Sequence, residues 1–326
     1  SSVWAQASSN GSGLLGKFLL PRLIELDSVK ILTRGEPTVD THSGVQWMTG
    51  SLQDPMSLMA AFEGCHTVVH AAAVVSFSPK HRHEMFNTNV EGTANVVDAC
   101  LAVGVRRLVL ISSVAALGRQ PGQTVIDESA KWTGSELNTF YGQSKHKAEL
   151  EALRGQEEGL SVAIVNPSVI LAPSPDRSSG RIFRYVWDGA KFYTPGTGNF
   201  VDVRDVCDVV TKVVQRPETA GRFIASGGQL TWKHLFEEIA GHFGKRPPRW
   251  KVTAGWIRVA VWVEAFRSRL TGREPLVTKE TAEMASTAFL YSNQRASVEL
   301  GVQFRTISES IAWCCKTLLD QKALSE

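Results

Sequence analysis

The stretch Gly11-Ser12-Gly13-Leu14-Leu15-Gly16 decides the fold, because it places glycines at the spacing GxGxxG at the start of a helical segment. Glycines at this spacing let the backbone approach a pyrophosphate closely, and the amino end of the following helix attracts its negative charge. Glycine-rich turns are common, so the motif indicates a dinucleotide-binding loop only when the segments that follow it also fit that fold.

Short β-rich runs alternate with amphipathic helical segments through the first part of the chain, which is typical of a parallel sheet covered by helices. Strands are predicted at 29–33, 67–71, 107–112 and 161–166, and helices at 14–26, 55–62, 83–103 and 144–154. We therefore predict an α/β fold: a Rossmann-type doubly wound parallel sheet over 1–171 that carries the catalytic residues. A smaller, mostly helical substrate region follows over 172–326 and returns in part to the core sheet.

Composition excludes several classes of function. Of 326 residues, 43% are hydrophobic and 21% are charged, and the formal net charge is +3, so no nucleic-acid partner is expected. The first twenty residues lack a signal-peptide pattern and no long apolar run is present, so we expect a cytoplasmic protein. The five cysteines show no regular spacing and are expected to be reduced core thiols. His81 and His83 lack further ligands at zinc-like spacing, so no metal is expected.

The predicted second strand ends at Arg34, the position at which this fold reads the adenosine ribose. An acidic residue there bonds the 2′-hydroxyl of NAD, whereas an arginine accommodates the 2′-phosphate of NADP. Arg34 therefore favours NADP(H), with NAD(H) left open. The alternative is an ordinary surface arginine at a strand end.

Tyr141 and Lys145 are four residues apart in Tyr141-Gly142-Gln143-Ser144-Lys145 and so share one helical face. Ser113 follows a predicted buried strand at its carboxyl end. These groups suit carbonyl reduction, since a phenol donates the proton, a neighbouring ammonium lowers the phenol pKa, and a hydroxyl holds the substrate oxygen. A tyrosine–lysine pair alone is often a solvated helix face, but the serine and the glycine loop favour the catalytic interpretation.

With these motifs the chain resembles the extended short-chain dehydrogenases/reductases, nearest the branch of 3β-hydroxysteroid dehydrogenases and dihydroflavonol reductases. The segments that carry the resemblance are 13–16, 69–73, 89–93, 110–113, 141–145, 166–168 and 199–205. Two positions depart from the family pattern. Asn10 stands where the glycine loop usually has its first glycine, and Ser51 replaces an acidic residue that meets the adenine. Both departures concern cofactor affinity more than catalysis.

The resemblance implies roles for individual residues. Tyr141 would be the acid/base, Lys145 would lower its pKa and hold the nicotinamide ribose, Ser113 would bind the reacting oxygen, and Asn89 would brace the active-site helix. The implied cofactor contacts are Asn10, Gly11, Gly13, Leu14, Leu15, Gly16, Arg34, Ser51, Leu52, Ala71, Ala72, Ala73, Ser112, Lys145, Asn166, Pro167 and Ser168. The apolar residues expected at the substrate are Val75, Phe77, Val114, Ile170, Phe183 and Trp187.

The predicted function is an NADP(H)-dependent oxidoreductase that interconverts a ketone or aldehyde and an alcohol. Its small-molecule substrate is expected to be bulky and hydrophobic: steroid-, polyketide-, flavonoid- or lipid-like. Two alternatives stay open, a sugar-nucleotide epimerase or dehydratase with tightly bound NAD and a non-catalytic NADP-binding regulator. Ala115, where several sugar-nucleotide enzymes carry threonine, argues against the first, and the complete Ser113, Tyr141 and Lys145 set argues against the second. The protein is expected to be a monomer or homodimer.

The segment 245–273 has eight basic residues against the single acid Glu264, with Trp250, Trp256 and Trp262 interleaved. A basic amphipathic helix with tryptophan suits an anionic membrane surface, so 250–270 is a candidate for peripheral membrane contact. Its arginines are equally suited to grip an anionic substrate. A helix packed on the protein body with solvated arginines is the favoured interpretation.

Overall fold

The computed structural model describes residues 2–6, 13–35, 45–76, 78–120, 122–135, 137–174, 180–252, 289–321 and 324. The strands are β1 (Ser2–Gln6), β2 (Ser28–Thr33), β3 (Val45–Thr49), β4 (Cys65–His70), β5 (Arg107–Ile111), β6 (Val125–Ile126), β7 (Ser161–Pro167), β8 (Val169–Leu171), β9 (Phe192–Tyr193), β10 (Thr197–Asp202), β11 (Gly221–Ala225), β12 (Gly228–Thr231), β13 (Trp250–Lys251) and β14 (Leu290–Tyr291).

The helices are α1 (Leu14–Ile24), α2 (Pro55–Phe62), α3 (Arg82–Phe86), α4 (Gly92–Ala102), α5 (Phe140–Glu157), α6 (Gly180–Trp187), α7 (Val203–Gln215), α8 (Trp232–Phe243), α9 (Gln294–Leu300) and α10 (Ile307–Asp320). The helix predicted over 83–103 is present, and within it a π-helical turn over Asn87–Glu91 lies between the α-helical parts α3 and α4. The amphipathic helix considered over 250–270 lies outside the described residues beyond Val252.

The main sheet has seven parallel strands in the order β11-β7-β5-β4-β1-β2-β3. The four strands predicted from the sequence are present, and the apolar runs of β4, β5 and β7 are buried because helices cover both faces. The order of the strands reverses between β1 and β4: β2 and β3 follow β1 on one side, and β5, β7 and β11 follow β4 on the other. Doubly wound sheets bind their ligands in the crevice at such a point, outside the carboxyl ends of the strands. The predicted fold class is confirmed.

Two hydrophobic layers hold the sheet, one on each face. The first joins α1 and α7 to the sheet around Leu19, Val109 and Val206. The second joins α2, α4 and α5 around Phe62, Val97 and Ile164. Helix α5, which carries the predicted tyrosine–lysine pair, therefore packs on a closed core.

The sequence predicts a mostly helical region after residue 172, but this region contains several β-strands as well as helices. It supplies β11 to the main sheet, and its strands β10 and β12 form a second sheet with β8, in the order β12-β10-β8. Helices α6, α8 and α10 pack on that small sheet around Phe183, Phe200 and Leu235. The strands escaped prediction because they are short and interrupted by glycine, as in β10, and so show little period-2 pattern.

Candidate active site

Helix α5 carries the predicted tyrosine–lysine pair. The side chain of Thr139 caps the helix by accepting a hydrogen bond from the backbone N–H of Gly142 at 2.9 Å. Tyr141 and Lys145 lie one turn apart on the first part of α5 and share a face. The helix packs against the short turn Val114–Ala116, which follows β5.

Gly142 allows α5 to approach this turn closely. A Cβ atom at this position would lie 2.5 Å from the backbone oxygen of Ala115, closer than side-chain atoms tolerate. Because Gly142 stands next to Tyr141, the missing side chain lets the phenol reach the residues at the end of β5.

Ser113 stands at the start of the same turn. Its Oγ accepts a hydrogen bond from the backbone N–H of Ala115 at 3.2 Å, which fixes the side chain against the turn. The side chains of Ser113 and Tyr141 are hydrogen-bonded to each other. A hydroxyl and a phenol thus meet at the carboxyl edge of the sheet, where ligands of this fold bind.

Lys145 is 2% exposed, and its Nζ donates a hydrogen bond to the backbone oxygen of Ile111 at 2.9 Å. Burial lowers the pKa of Lys145 to about 8, and the charge of Glu149 acts in the opposite direction. The side chain is therefore mostly a cation at neutral pH and loses its charge in mildly alkaline solution.

The structure reverses the expected direction of the Tyr141 pKa. Burial raises the pKa of Tyr141 to about 12, and the hydrogen bond with Ser113 opposes this rise. Desolvation of the phenolate is the larger of these two effects. Tyr141 is consequently a neutral phenol at neutral pH, the form that donates a proton.

Asn89 braces α5 from the π-helical turn. Its Oδ1 accepts from the backbone N–H of Val74 at 2.8 Å, and its Nδ2 donates to the backbone oxygen of Val74 at 2.9 Å and to Oγ of Ser144 at 3.0 Å. Ser144 Oγ in turn donates to the backbone oxygen of Tyr141 at 2.8 Å. Asn89 thus connects the loop after β4 to the first turn of α5, and π-helical turns are frequent at functional sites.

Sequence analysis missed two residues beneath this site, Glu149 and Arg222. Glu149 is wholly buried on α5 and is paired with Arg222 of β11, from Nε to Oε2 at 2.7 Å. Glu149 also accepts a hydrogen bond from Nδ2 of Asn166 at 2.6 Å. A glutamate four residues after Lys145 was the available signal, but nothing in the sequence identifies its arginine partner.

The residues at the sheet edge fit a nicotinamide cofactor. The buried hydroxyls of Ser112 and Ser168 have no hydrogen-bond partner within the described part of the chain. They follow β5 and β7 at the edge that also holds Lys145, so both are available to polar groups of a ligand lying there. Residues 71–73, small alanines after β4, are partly exposed and leave the crevice open.

The other predicted cofactor residues differ in how accessible their side chains are. Gly13, Leu14 and Gly16 are partly exposed at the start of α1, and Arg34 is exposed at the carboxyl end of β2. The side chains of Leu15, Leu52, Asn166 and Pro167 are buried, so the predicted contacts of these four residues do not involve accessible side chains. Ser51 Oγ is hydrogen-bonded to Oε1 of Gln53 at 2.9 Å. Asn10 and Gly11 lie outside the described residues.

The predicted substrate residues differ in accessibility. Val75 is 55% exposed and Ile170 is partly exposed, so both have surface for a ligand. Val114 is buried, and Phe183 is completely enclosed in the core of the second sheet, so its assignment to the substrate site is not supported. Trp187 packs edge-on against Phe243, with Lys245 Nζ 4.4 Å from its ring centre. Phe77 lies outside the described residues.

Two further expectations concern histidines and the basic segment. His70 is fully buried at the end of β4, with Nε2 3.1 Å from Oγ1 of Thr93, and burial lowers its pKa to about 3. Among the described residues, no cluster of potential metal ligands is present. Within the same residues, no helix has the length and apolar character of a membrane span. The segment 250–270 is described only as far as Val252.

The chain belongs to the NAD dependent epimerase/dehydratase family, whose model matches residues 11–225. It is 29% identical over 93% of its length to a protein of Synechocystis sp. with a provisional dihydroflavonol 4-reductase name, and covers 91% of that protein. It is 30% identical to cinnamoyl-CoA reductase 1 of Oryza sativa subsp. japonica, over 79% of this chain and 70% of the relative. It is 32% identical to sterol demethylase protein B of Methylococcus capsulatus, over 74% and 77%.

Solved structures agree with this membership. The crystal structure of gox2253 superposes with a TM-score of 0.81 at 26% identity, covering 97% of this chain and 98% of that one. MoeE5 in complex with UDP-glucuronic acid and NAD superposes with a TM-score of 0.75 at 21% identity, over 98% and 100%, and shows the shared fold. The predicted relationship to extended short-chain dehydrogenases/reductases is confirmed, and these enzymes use a nicotinamide cofactor.

Proposed function

We propose that this protein is an NADP(H)-dependent oxidoreductase that interconverts a carbonyl and an alcohol on a bulky, apolar small molecule. The observation that carries the proposal is the neutral phenol of Tyr141, hydrogen-bonded to Ser113 and one helical turn from the buried cation Lys145. This set supplies a proton donor, an oxygen-binding hydroxyl and a positive charge at one edge of the sheet.

In the reductive direction, a nicotinamide cofactor held at this edge of the sheet would be the source of hydride for the carbonyl carbon. Ser113 donates a hydrogen bond to the carbonyl oxygen and holds it beside Tyr141. Tyr141 gives its phenolic proton to that oxygen as charge develops there, which completes the alcohol. Lys145 stabilises the negative charge left on the Tyr141 oxygen until solvent returns a proton. Oxidation of an alcohol follows the same steps in reverse.

The choice of NADP(H) rests on Arg34. Its side chain is exposed at the carboxyl end of β2, where this fold meets the adenosine ribose. A guanidinium binds phosphate through two parallel hydrogen bonds, an arrangement that the 2′-hydroxyl of NAD does not offer.

The substrate class is supported by accessible apolar side chains near the catalytic residues. Val75 is exposed in the loop that Asn89 holds, and Ile170 is partly exposed three residues beyond β7. The curated relatives named above include a cinnamoyl-CoA reductase and a sterol demethylase protein, whose names also indicate bulky organic substrates. A cytoplasmic location is supported by the five cysteines, all buried and free.

The test is a screen of purified protein and NADPH against aromatic aldehydes and bulky cyclic ketones, following NADPH consumption. We expect saturable reduction of at least one carbonyl and tighter binding of NADPH than of NADH, measured by nicotinamide fluorescence. Tight NAD retained through purification, with turnover of UDP-glucose in place of carbonyl reduction, would overturn the proposal in favour of an epimerase. Binding of NADPH without turnover of any kind would favour a regulator.

A further inference from the structure

A buried carboxylate lies directly beneath the catalytic residues. Glu149 is 0% exposed, one helical turn after Lys145 on α5. Its Oε2 accepts from Nε of Arg222 at 2.7 Å, and its Oε1 accepts from Nδ2 of Asn166 at 2.6 Å. A buried carboxylate is costly unless it is paired and hydrogen-bonded, and here each oxygen has a donor.

The side chain of Asn166 links Glu149 to the backbone of Ser113. The same Nδ2 that donates to Glu149 also donates to the backbone oxygen of Ser113 at 3.0 Å. Two residues earlier, the backbone oxygen of Ile111 accepts from Nζ of Lys145 at 2.9 Å. The end of β5 is therefore held at two carbonyls, one through Asn166 and the other through the catalytic lysine.

Glu149 also acts on Lys145 through its charge. Burial lowers the pKa of Lys145, and the negative charge of Glu149 opposes that fall. The titratable groups around the two residues are His70 of β4, Tyr141 and His146 of α5, and Arg222 of β11. His70 experiences the charge of Lys145, and His146 experiences those of Glu149 and Arg222.

We propose that Glu149 and Arg222 are positioning residues, which hold the Ser113 backbone through Asn166 and keep Lys145 charged during turnover. Arg222 belongs to β11, the strand that the region after residue 172 adds to the main sheet beside β7. This inference rests on the proposed oxidoreductase function. It differs from a purely structural ion pair because it requires the charge of Glu149, and not only its hydrogen bonds.

The test is Glu149→Gln, which keeps a side chain of similar shape while removing the charge. The matched control is Glu151→Gln, which breaks the ion pair with Arg154 on the same helix, 2.9 Å long and partly exposed. The pKa of Lys145 is read from the shift of its 13C-labelled ε-carbon with pH, with Lys145→Arg used to assign the signal. The alkaline limb of kcat is measured with NADPH and the best carbonyl from the screen.

In Glu149→Gln we expect the Lys145 pKa to fall by about one unit from its wild-type value. The alkaline limb of kcat should move down by the same amount, while KM changes little, because Glu149 does not contact the substrate. Glu151→Gln should leave both the pKa and the limb where they are in the wild type. An unchanged Lys145 pKa in folded Glu149→Gln would overturn the proposal and leave a pair that serves folding alone.

If Glu149→Gln does not fold, the double variant Glu149→Gln/Arg222→Gln decides the question, because it does not leave the charge of Arg222 without its carboxylate partner. The double variant should fold, and its Lys145 pKa should lie below the wild-type value. A Lys145 pKa equal to that of the wild type would refute the proposal. The lysine titration needs no substrate. Failure of the wild-type protein to reduce any carbonyl would therefore count against the proposed function alone.

Discussion

The catalytic end of the crevice (Ser113, Tyr141 and Lys145) and its ribose end (Arg34 and Ser51) are built differently. At the catalytic end the side chains are hydrogen-bonded to one another or to nearby backbone groups, over a closed core. At the ribose end Arg34 is exposed, and Ser51 is hydrogen-bonded within its own turn. Under the proposed function, the chemistry would therefore depend on side chains that the fold holds in place, whereas the choice of cofactor would depend on one exposed side chain.

The largest expected effect is at the catalytic end. Tyr141→Phe removes the proton donor, so kcat should fall by about 10²–10⁴-fold, the usual contribution of general acid catalysis. NADPH binding, measured by fluorescence, should remain within twofold. The control is Tyr185→Phe, whose hydroxyl donates to the backbone oxygen of Phe192 in the C-terminal region. Substantial turnover by Tyr141→Phe would show that the catalytic end is misassigned.

Gly142→Ala tests how tightly the catalytic end is packed. The new Cβ would lie 2.5 Å from the Ala115 oxygen, so the turn that carries Ser113 must move. Overpacking of this kind costs about 1–3 kcal/mol of unfolding free energy, measurable by denaturant titration, and kcat should fall more than tenfold. Gly241→Ala in α8 has open space around it and serves as the control. Equal unfolding free energies and equal kcat values in the two variants would indicate that the catalytic end is less tightly packed.

The buried side chain of His70, at the end of β4, should also affect the stability of the folded chain in acid. The pKa of His70 is about 3 in the folded chain, well below the ordinary value of 6.5. Between these values the unfolded chain binds the proton and the folded chain does not. The unfolding free energy should therefore be intact above pH 6.5 and decline as pH falls towards 3, by up to about 1.4 kcal/mol per pH unit from this group.

His70→Asn should flatten that decline, whereas His234→Asn should not, because His234 is 66% exposed. Urea titrations at several pH values measure the slopes. The same slope in His70→Asn and in the wild type would mean that other groups cause the loss of stability in acid.

The smallest expected effect is at the ribose end. Arg34→Ala should weaken NADPH binding by about tenfold, the loss of one charge-assisted contact, and leave NADH binding unchanged. Arg106→Ala, an exposed arginine immediately before β5 and so at the opposite edge of the sheet, is the control. An equal loss for both cofactors would remove the basis for NADP preference.

Much of the fold and of the catalytic set could be predicted from the sequence. Strands such as β5 and β7 are continuous apolar runs between clear turns, and the Tyr141–Lys145 spacing is visible without a structure. The short strands of the C-terminal region were missed because glycines and polar residues interrupt them. The π-helical turn at Asn89 leaves no signal in a helical period.

The features that the sequence did not reveal depend on which side chains are buried in the folded chain. The direction of the Tyr141 pKa depends on desolvation, which a motif does not reveal. Phe183 looks like a ligand contact in sequence but is enclosed by the second sheet. The pairing of Glu149 with Arg222 joins residues 73 positions apart, and only the parallel pairing of β11 with β7 brings them together.

The most direct test of the central claim follows the hydride. Protein is incubated with NADPH deuterated at C4 of the nicotinamide and a panel of aromatic aldehydes and bulky ketones, with UDP-glucose in a parallel reaction. We predict deuterium on the carbinol carbon of an alcohol product, at a rate that Tyr141→Phe lowers by orders of magnitude. This prediction would be contradicted by an epimerised or dehydrated sugar nucleotide together with label that stays on the cofactor.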